Sequence, residues 1–201
     1  VVGVNLTLSP DTPMAFAKAG MLAPDGRCKT LDAAADGYVR AEAVGVMVLA
    51  ALVGGIAAGA VPLAILAGSA VNQDGRTHNI LAPSRASQIA VMERALATAN
   101  VDPASVGMIE AHGTGTPVGD TEEFQSLSSQ YGRQSPCAIG SLKSNFGHAE
   151  SAAGVLGMIK ATLALAHGLI PRSLHFTRLP AHLQTIETGL FVPTETMAWP
   201  S

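Results

Sequence analysis

Apolar residues in this chain come in short runs that stop at glycine, and the runs alternate between two periods. Val1-Val-Gly-Val-Asn-Leu6, Val44-Gly-Val-Met-Val-Leu49, Leu63-Ala-Ile-Leu66, Val106-Gly-Met-Ile109 and Cys137-Ala-Ile-Gly-Ser-Leu142 are each bounded by turn residues, which predicts strands. Helical patterns lie between them. Thr12 before Pro13 fits a cap followed by proline at the first helical position, and Gly20 fits a stop, so residues 12–19 predict a short helix. Pro83-Ser84 opens a second helix whose Ile89, Met92 and Leu96 recur at i, i+3 and i+7. Asp120 and Glu123 have capping-box spacing ahead of an apolar stripe of Phe124, Leu127 and Tyr131 that Gly132 closes. Residues 150–167 are small or apolar, with Lys160 the only charge after Glu150. This predicts a helix buried between layers, where Gly154 and Gly157 admit neighbouring backbone. Strands alternating with helices predict a layered α/β fold with a mixed central sheet.

The stretch between Glu42 and Asp74 carries no charge, longer than the roughly 20 residues of a membrane-spanning helix. Gly45, Gly54, Gly55, Gly59 and Pro62 interrupt it, so it predicts two buried strands joined by a loop, and no membrane span. With 48% apolar and only 4% aromatic residues in 201, the core has to be built from small aliphatics. The net charge is −3 and no Lys/Arg cluster interleaves with aromatics, which excludes a nucleic-acid footprint. The two cysteines, Cys28 and Cys137, stand far apart and neither has a nucleophile-like setting; they predict reduced structural thiols in a cytoplasmic protein. The chain opens as if already inside a strand, which predicts that residues 1–201 are one partial domain with no second domain beside it.

Two histidines carry the candidate chemistry. His112 in Glu110-Ala-His-Gly-Thr-Gly-Thr116 and His148 in Lys143-Ser-Asn-Phe-Gly-His148 each stand where an apolar run meets a glycine-bearing turn, the place where open α/β sheets gather ligand contacts. His148 precedes the apolar helix, whose unpaired amides and dipole disfavour a cationic imidazole. A neutral ring there donates an N–H to a carbonyl oxygen as negative charge builds on it, and His112 supplies a second donor if the strand ends are neighbours. Lys143 reaches the same cavity, to orient a histidine or hold a carboxylate. Thr114 and Thr116 offer hydroxyls at its mouth, suited to an amide-rich carrier arm. The loop lacks the Gly-Lys-Ser/Thr ending and the dinucleotide spacing, and the histidines have no third ligand at zinc spacing, so neither a nucleotide nor a metal is expected.

These motifs, with Val4-Asn-Leu6, Ala23-Pro-Asp-Gly-Arg-Cys-Lys29, Asp32-Ala-Ala-Ala-Asp-Gly-Tyr38, Gly68-Ser-Ala-Val-Asn-Gln-Asp-Gly75 and Gly168-Leu-Ile-Pro171, resemble the ketosynthase (beta-ketoacyl synthase) domain of type I polyketide synthases and related fatty acid synthases, in the thiolase superfamily. The resemblance implies a thiolase-like layered α/β fold, here mainly its C-terminal half. It also implies decarboxylative Claisen condensation of an acyl thioester with a malonyl-type extender on an acyl carrier protein. His112 and His148 match the family's oxyanion histidines, Lys143 its supporting lysine, and Thr114 and Thr116 the threonines that contact the phosphopantetheine arm. No cofactor is bound in the family beyond that arm, and the intact family forms homodimers. The family's nucleophilic cysteine, in a Thr-Ala-Cys-Ser-Ser-like run, has no match here; by this reading it belongs to a missing N-terminal half, and the chain alone is incapable of acyl transfer, hence inactive as a synthase, and prone to aggregate. Ala41, Ala43 and Thr121-Glu122 depart from the family pattern and leave an alternative, a non-catalytic docking or scaffold module.

Overall fold

Capping chemistry and proline set most of the boundaries in the computed structural model, which describes residues 1–57, 59, 61–77 and 82–199, the side chains of 55–57 excepted. In chain order the elements are β1 (Val2–Asn5), α1 (Asp11–Lys18), β2 (Ala43–Val46), α2 (Leu52–Ala57), α3 (Arg85–Ala99), β3 (Met108–Glu110), α4 (Pro117–Gln130), β4 (Cys137–Gly140), α5 (Lys143–Phe146), α6 (Ala153–His167), β5 (Leu169–Ile170), α7 (Ala181–Gln184), β6 (Leu190–Phe191) and β7 (Met197–Ala198), with 3-10 turns at Pro103–Ser105 and Glu150–Ala152. Ser84 caps α3 by accepting from the Ser87 amide, and Asn100 ends it in the left-handed conformation. Pro117 stands in the first turn of α4, and Gly168 closes α6 with φ +62°. The predicted cap at Thr12 is displaced: α1 begins at Asp11, whose amide is bonded to Ser9 Oγ at 3.2 Å.

Parallel and antiparallel pairings are both present, in separate sheets. The parallel sheet runs β3-β4-β6, with Ile109 opposite Ile139 and Ala138 opposite Phe191. Parallel neighbours need a crossover, and α4 supplies the one between β3 and β4. Its middle strand is wholly buried, and around Ile139 pack Leu31, Ala111, Phe124, Leu127, Leu183 and Leu190. The stripe of Phe124, Leu127 and Tyr131 faces this core as its spacing predicts. Ile89, Met92 and Leu96 of α3 are half-buried, with Met92 packed on the core.

The apolar stretch behaves otherwise. Val44–Leu49 yields only the strand Ala43–Val46, paired antiparallel with β1, and Leu63–Leu66 forms no strand. Burial is reversed too: Gly3 and Gly45 face inward while Val2, Val4, Val44 and Val46 face out. The cause is close approach by α6. A Cβ on Gly3 or Gly45 would lie 2.7 or 2.6 Å from Val155 Cγ1. Val48, Val61, Leu63, Ile65 and Leu66 are exposed as well, and positions 58 and 60 of this stretch lie outside the described residues. Among the described residues no helix is long and apolar enough to cross a membrane. Helix α6 buries Val155 and Ala164 and leaves Leu163 and Leu165 exposed. Gly154 meets open space; Gly157 admits the Glu110 side chain.

Candidate active site

Strands β3 and β4 run side by side and in the same direction, so their carboxyl ends lie at one edge of the sheet, Glu110 opposite Gly140. Beyond Glu110 the chain enters the His112 loop. Beyond Gly140 it enters α5 and then His148. The two imidazoles meet there, ring centroids 5.3 Å apart and nearly perpendicular at 84°. Lys143 is buried and opens the helical turn α5.

Close approach forces the shape of the His112 loop. Gly113 has φ +47°, and a Cβ there would sit 2.5 Å from Thr30 Cγ2 and 2.8 Å from Ser141 Cβ. Two carboxylates of α4 then take the loop's free amides. Glu123 Oε1 and Oε2 accept from the His112 and Gly113 amides at 2.6 and 2.8 Å. Asp120 Oδ1 accepts from the Gly115 amide at 3.1 Å and Oδ2 from the Leu31 amide at 2.7 Å. The capping-box expectation for this pair is therefore corrected: both lie inside α4, which starts at Pro117, and they reach back to the loop because its turn leaves amides unpaired. These are site residues that motif reading missed. The available signal was two acids, three apart on one helix face, directly after a glycine-rich loop.

Charge around the pair is arranged against protonation. His112 keeps solvent on one side, yet loss of water on its packed side, then Lys143 and His148, push its pKa from 6.5 down to about 4. Burial and Lys143 also lower that of His148, against the pull of Glu150. The Glu150 amide donates to His148 Nδ1 at 2.9 Å, so the first turn after His148 acts on the ring through a direct hydrogen bond. Burial lowers the Lys143 pKa, opposed by Glu110 and Glu123; burial raises those of Glu123 and Asp120 against the amides bonded to them. Glu110 anchors the strand end, accepting from Lys160 Nζ and from the Leu142 amide, each at 2.6 Å.

Thr114 and Thr116 are brought together, their hydroxyls 3.0 Å apart. Both line a cavity of about 550 Å³ between α3 and α4, together with His112, Glu123, Gln88 and Met92; His148 and Lys143 stand outside its lining. Cys28 and Cys137 are buried and free. Cys28 Sγ accepts from the Val39 amide at 3.2 Å, and desolvation pushes the Cys137 thiol up to about 11. The departures Thr121 and Glu122 are accommodated, by Thr121 Oγ1 against His182 Nε2 at 3.0 Å and by an ion pair between Glu122 and Arg85 at 2.9 Å.

Known proteins similar to this chain define its family. Residues 63–177 match the family described as "Beta-ketoacyl synthase, C-terminal domain", and residues 1–55 match "Beta-ketoacyl synthase, N-terminal domain". The chain belongs to the beta-ketoacyl synthase family, and its relatives place it among the ketosynthases of polyketide synthases. It is 53% identical over 198 residues to a mycocerosic acid synthase-like polyketide synthase of Mycolicibacterium smegmatis, covering 98% of the chain and 9% of that protein. It is 52% identical over 199 residues to a phthioceranic/hydroxyphthioceranic acid synthase of Mycobacterium tuberculosis, covering 99% and 9%. The chain thus spans about a tenth of the length of these curated relatives. The ketosynthase from module 6 of the bacillaene synthase of Bacillus subtilis superimposes with a TM-score of 0.95 at 40% identity, over 100% of this chain and 37% of that one. The fold is that of the thiolase-like ketosynthases.

Proposed function

We propose that the chain carries the decarboxylation and oxyanion part of a ketosynthase that condenses an acyl thioester with a malonyl-type extender held on an acyl carrier protein. Loss of CO2 breaks the carboxylate C–C bond of the extender, and its electron pair passes into an enolate whose oxygen becomes negative. His112 and His148 donate N–H bonds to that oxygen. The α-carbon then bonds to the acyl carbonyl carbon, and the thiolate that carried the acyl group leaves. Removing one such donor typically costs about 100-fold to 1000-fold in rate. Lys143 keeps both rings neutral electrostatically. Thr114 and Thr116 hold the amides of the phosphopantetheine arm at the mouth of the adjoining cavity. The acyl-bearing nucleophile comes from outside these 201 residues, because both thiols here are buried and their pKa values are raised.

The observation that carries this reading is the convergence of two imidazoles at 5.3 Å with both pKa values depressed. A scaffold without chemistry gives no reason for that arrangement. The test is CO2 release from a malonyl-pantetheine thioester by the chain, scored against His112→Ala and His148→Ala. Release that falls at least 100-fold in both variants supports the assignment; no release, or release indifferent to both substitutions, overturns it. Incubation with an acyl-pantetheine thioester tests the nucleophile separately, and stable acylation of Cys28 or Cys137 contradicts its external origin.

A further inference from the structure

His148 is held by its backbone as well as its ring. Its amide donates to the Val39 carbonyl at 2.6 Å and its carbonyl accepts from the Ala41 amide at 3.0 Å, so Arg40 stands between these two bonds. From there Arg40 Nε and Nη2 donate to Glu150 Oε1 and Oε2 at 2.7 and 2.9 Å, a bidentate pair with little solvent around the guanidinium. The guanidinium carbon lies 5.3 Å from the Phe16 ring centroid; Phe16 packs edge-on to Tyr38, and Tyr38 edge-on to His148. The Glu150 backbone has φ +43°, a conformation that side chains other than glycine rarely adopt. In that conformation its amide donates to His148 Nδ1. An amide donates only to an unprotonated ring nitrogen, which leaves Nε2 as the one N–H of neutral His148.

We infer that Arg40, through its two-point grip on the Glu150 carboxylate, is a positioning residue that keeps Glu150 in its left-handed conformation and thereby fixes the Nε2–H tautomer of His148. A glutamate released from that grip relaxes to negative φ and withdraws its amide. Nδ1 then competes for the proton, and part of the population presents an acceptor where an enolate oxygen needs a donor. Lysine does not substitute, because a point charge cannot hold both carboxylate oxygens in a fixed plane. The significance for catalysis rests on the oxyanion reading of His148, but the tautomer is a property of the chain without substrate.

Solid-state ¹⁵N spectra of the histidine-labelled chain at pH 8 read the tautomer directly, with the His148 signals assigned by their loss in His148→Ala. The expected result is a single neutral tautomer protonated at Nε2 in the wild type, and a mixture in which Nδ1–H reaches at least a fifth of the population in Arg40→Gln and Glu150→Gln. Arg40→Lys gives a mixture as well. Among the described residues, Lys143, Arg40, Glu150, Tyr38 and His112 are the charged or titratable groups facing His148. Loss of the arginine charge therefore also moves its titration upward, a change that general loosening of the fold would not produce selectively. A wild-type His148 protonated at Nδ1 overturns the inference without any variant, as does an unchanged single tautomer in whichever of the three variants retains the fold. Failure of the decarboxylation assay with the tautomer result intact counts against the proposed function alone.

Discussion

Two glycine-punctuated strand pairs in this chain meet opposite fates. In β3 and β4 the apolar side chains face the core, Ile139 is fully buried, and the His112, Gly113 and Gly115 amides of the following loop are each taken by a carboxylate. In β1 and β2 the glycines face inward against α6 and the valines face out, with Val2 and Val44 each more than 60% exposed. The first pair has a wholly buried strand in β4 beside a half-buried β3, and the segments beyond its carboxyl ends carry the histidines. The second is finished on one face and carries none of the candidate residues. Precision at the site follows from completed packing and pairing beneath it, not from apolar composition, which the two regions share.

Substitutions can break or sharpen that contrast. Phe124→Ala, at a fully buried site beneath the His112 loop, is expected to cost about 3–5 kcal/mol in chemical denaturation. Glu123→Ala strands the His112 and Gly113 amides and is expected to cost about 1–3 kcal/mol, with the His112 signals broadened in NMR spectra. Acidification gives the next effect. The folded-state pKa of His112, about 4, lies below the ordinary 6.5, so the unfolded state takes up the proton first. Its contribution to stability is complete above about pH 6.5 and is lost as pH falls through about 4. Asp120 and Glu123, whose folded-state values are raised, change stability in the opposite direction over their own range, losing it as pH rises. The urea midpoint of the wild type relative to His112→Asn isolates the histidine, and should decline between pH 6.5 and 4; a flat difference contradicts the depressed pKa. At the small end, Val46→Thr on the bare face is expected to stay within about 0.5 kcal/mol. Val44→Asp and Val46→Asp should instead show their effect as reduced self-association in sedimentation, because the exposed valines form part of a broad apolar surface.

The sequence was most legible where one local force acts. Ser84 caps α3, the Phe124 stripe faces the core, and His112 stands just past the end of β3; His148, expected at a strand end too, instead follows the helical turn α5. It was least legible where long-range packing overrides local pattern. Valines alternating with Gly3 and Gly45 read as a core face until α6 claims the glycine side. Asp120 and Glu123 have the spacing of a cap, yet the Gly113 turn offers them better-placed donors than their own helix start. Arg40 and Glu150 are separated by 110 positions, and no local pattern announces that they pair.

The shared role of the two rings depends most directly on their protonation state. A pH titration of the ¹⁵N and ¹³C ring signals of His112 and His148 should find both neutral at pH 7, with His112 titrating near 4 and cross-relaxation between the two rings. Either ring charged at pH 7, or two rings without mutual contact, would contradict it.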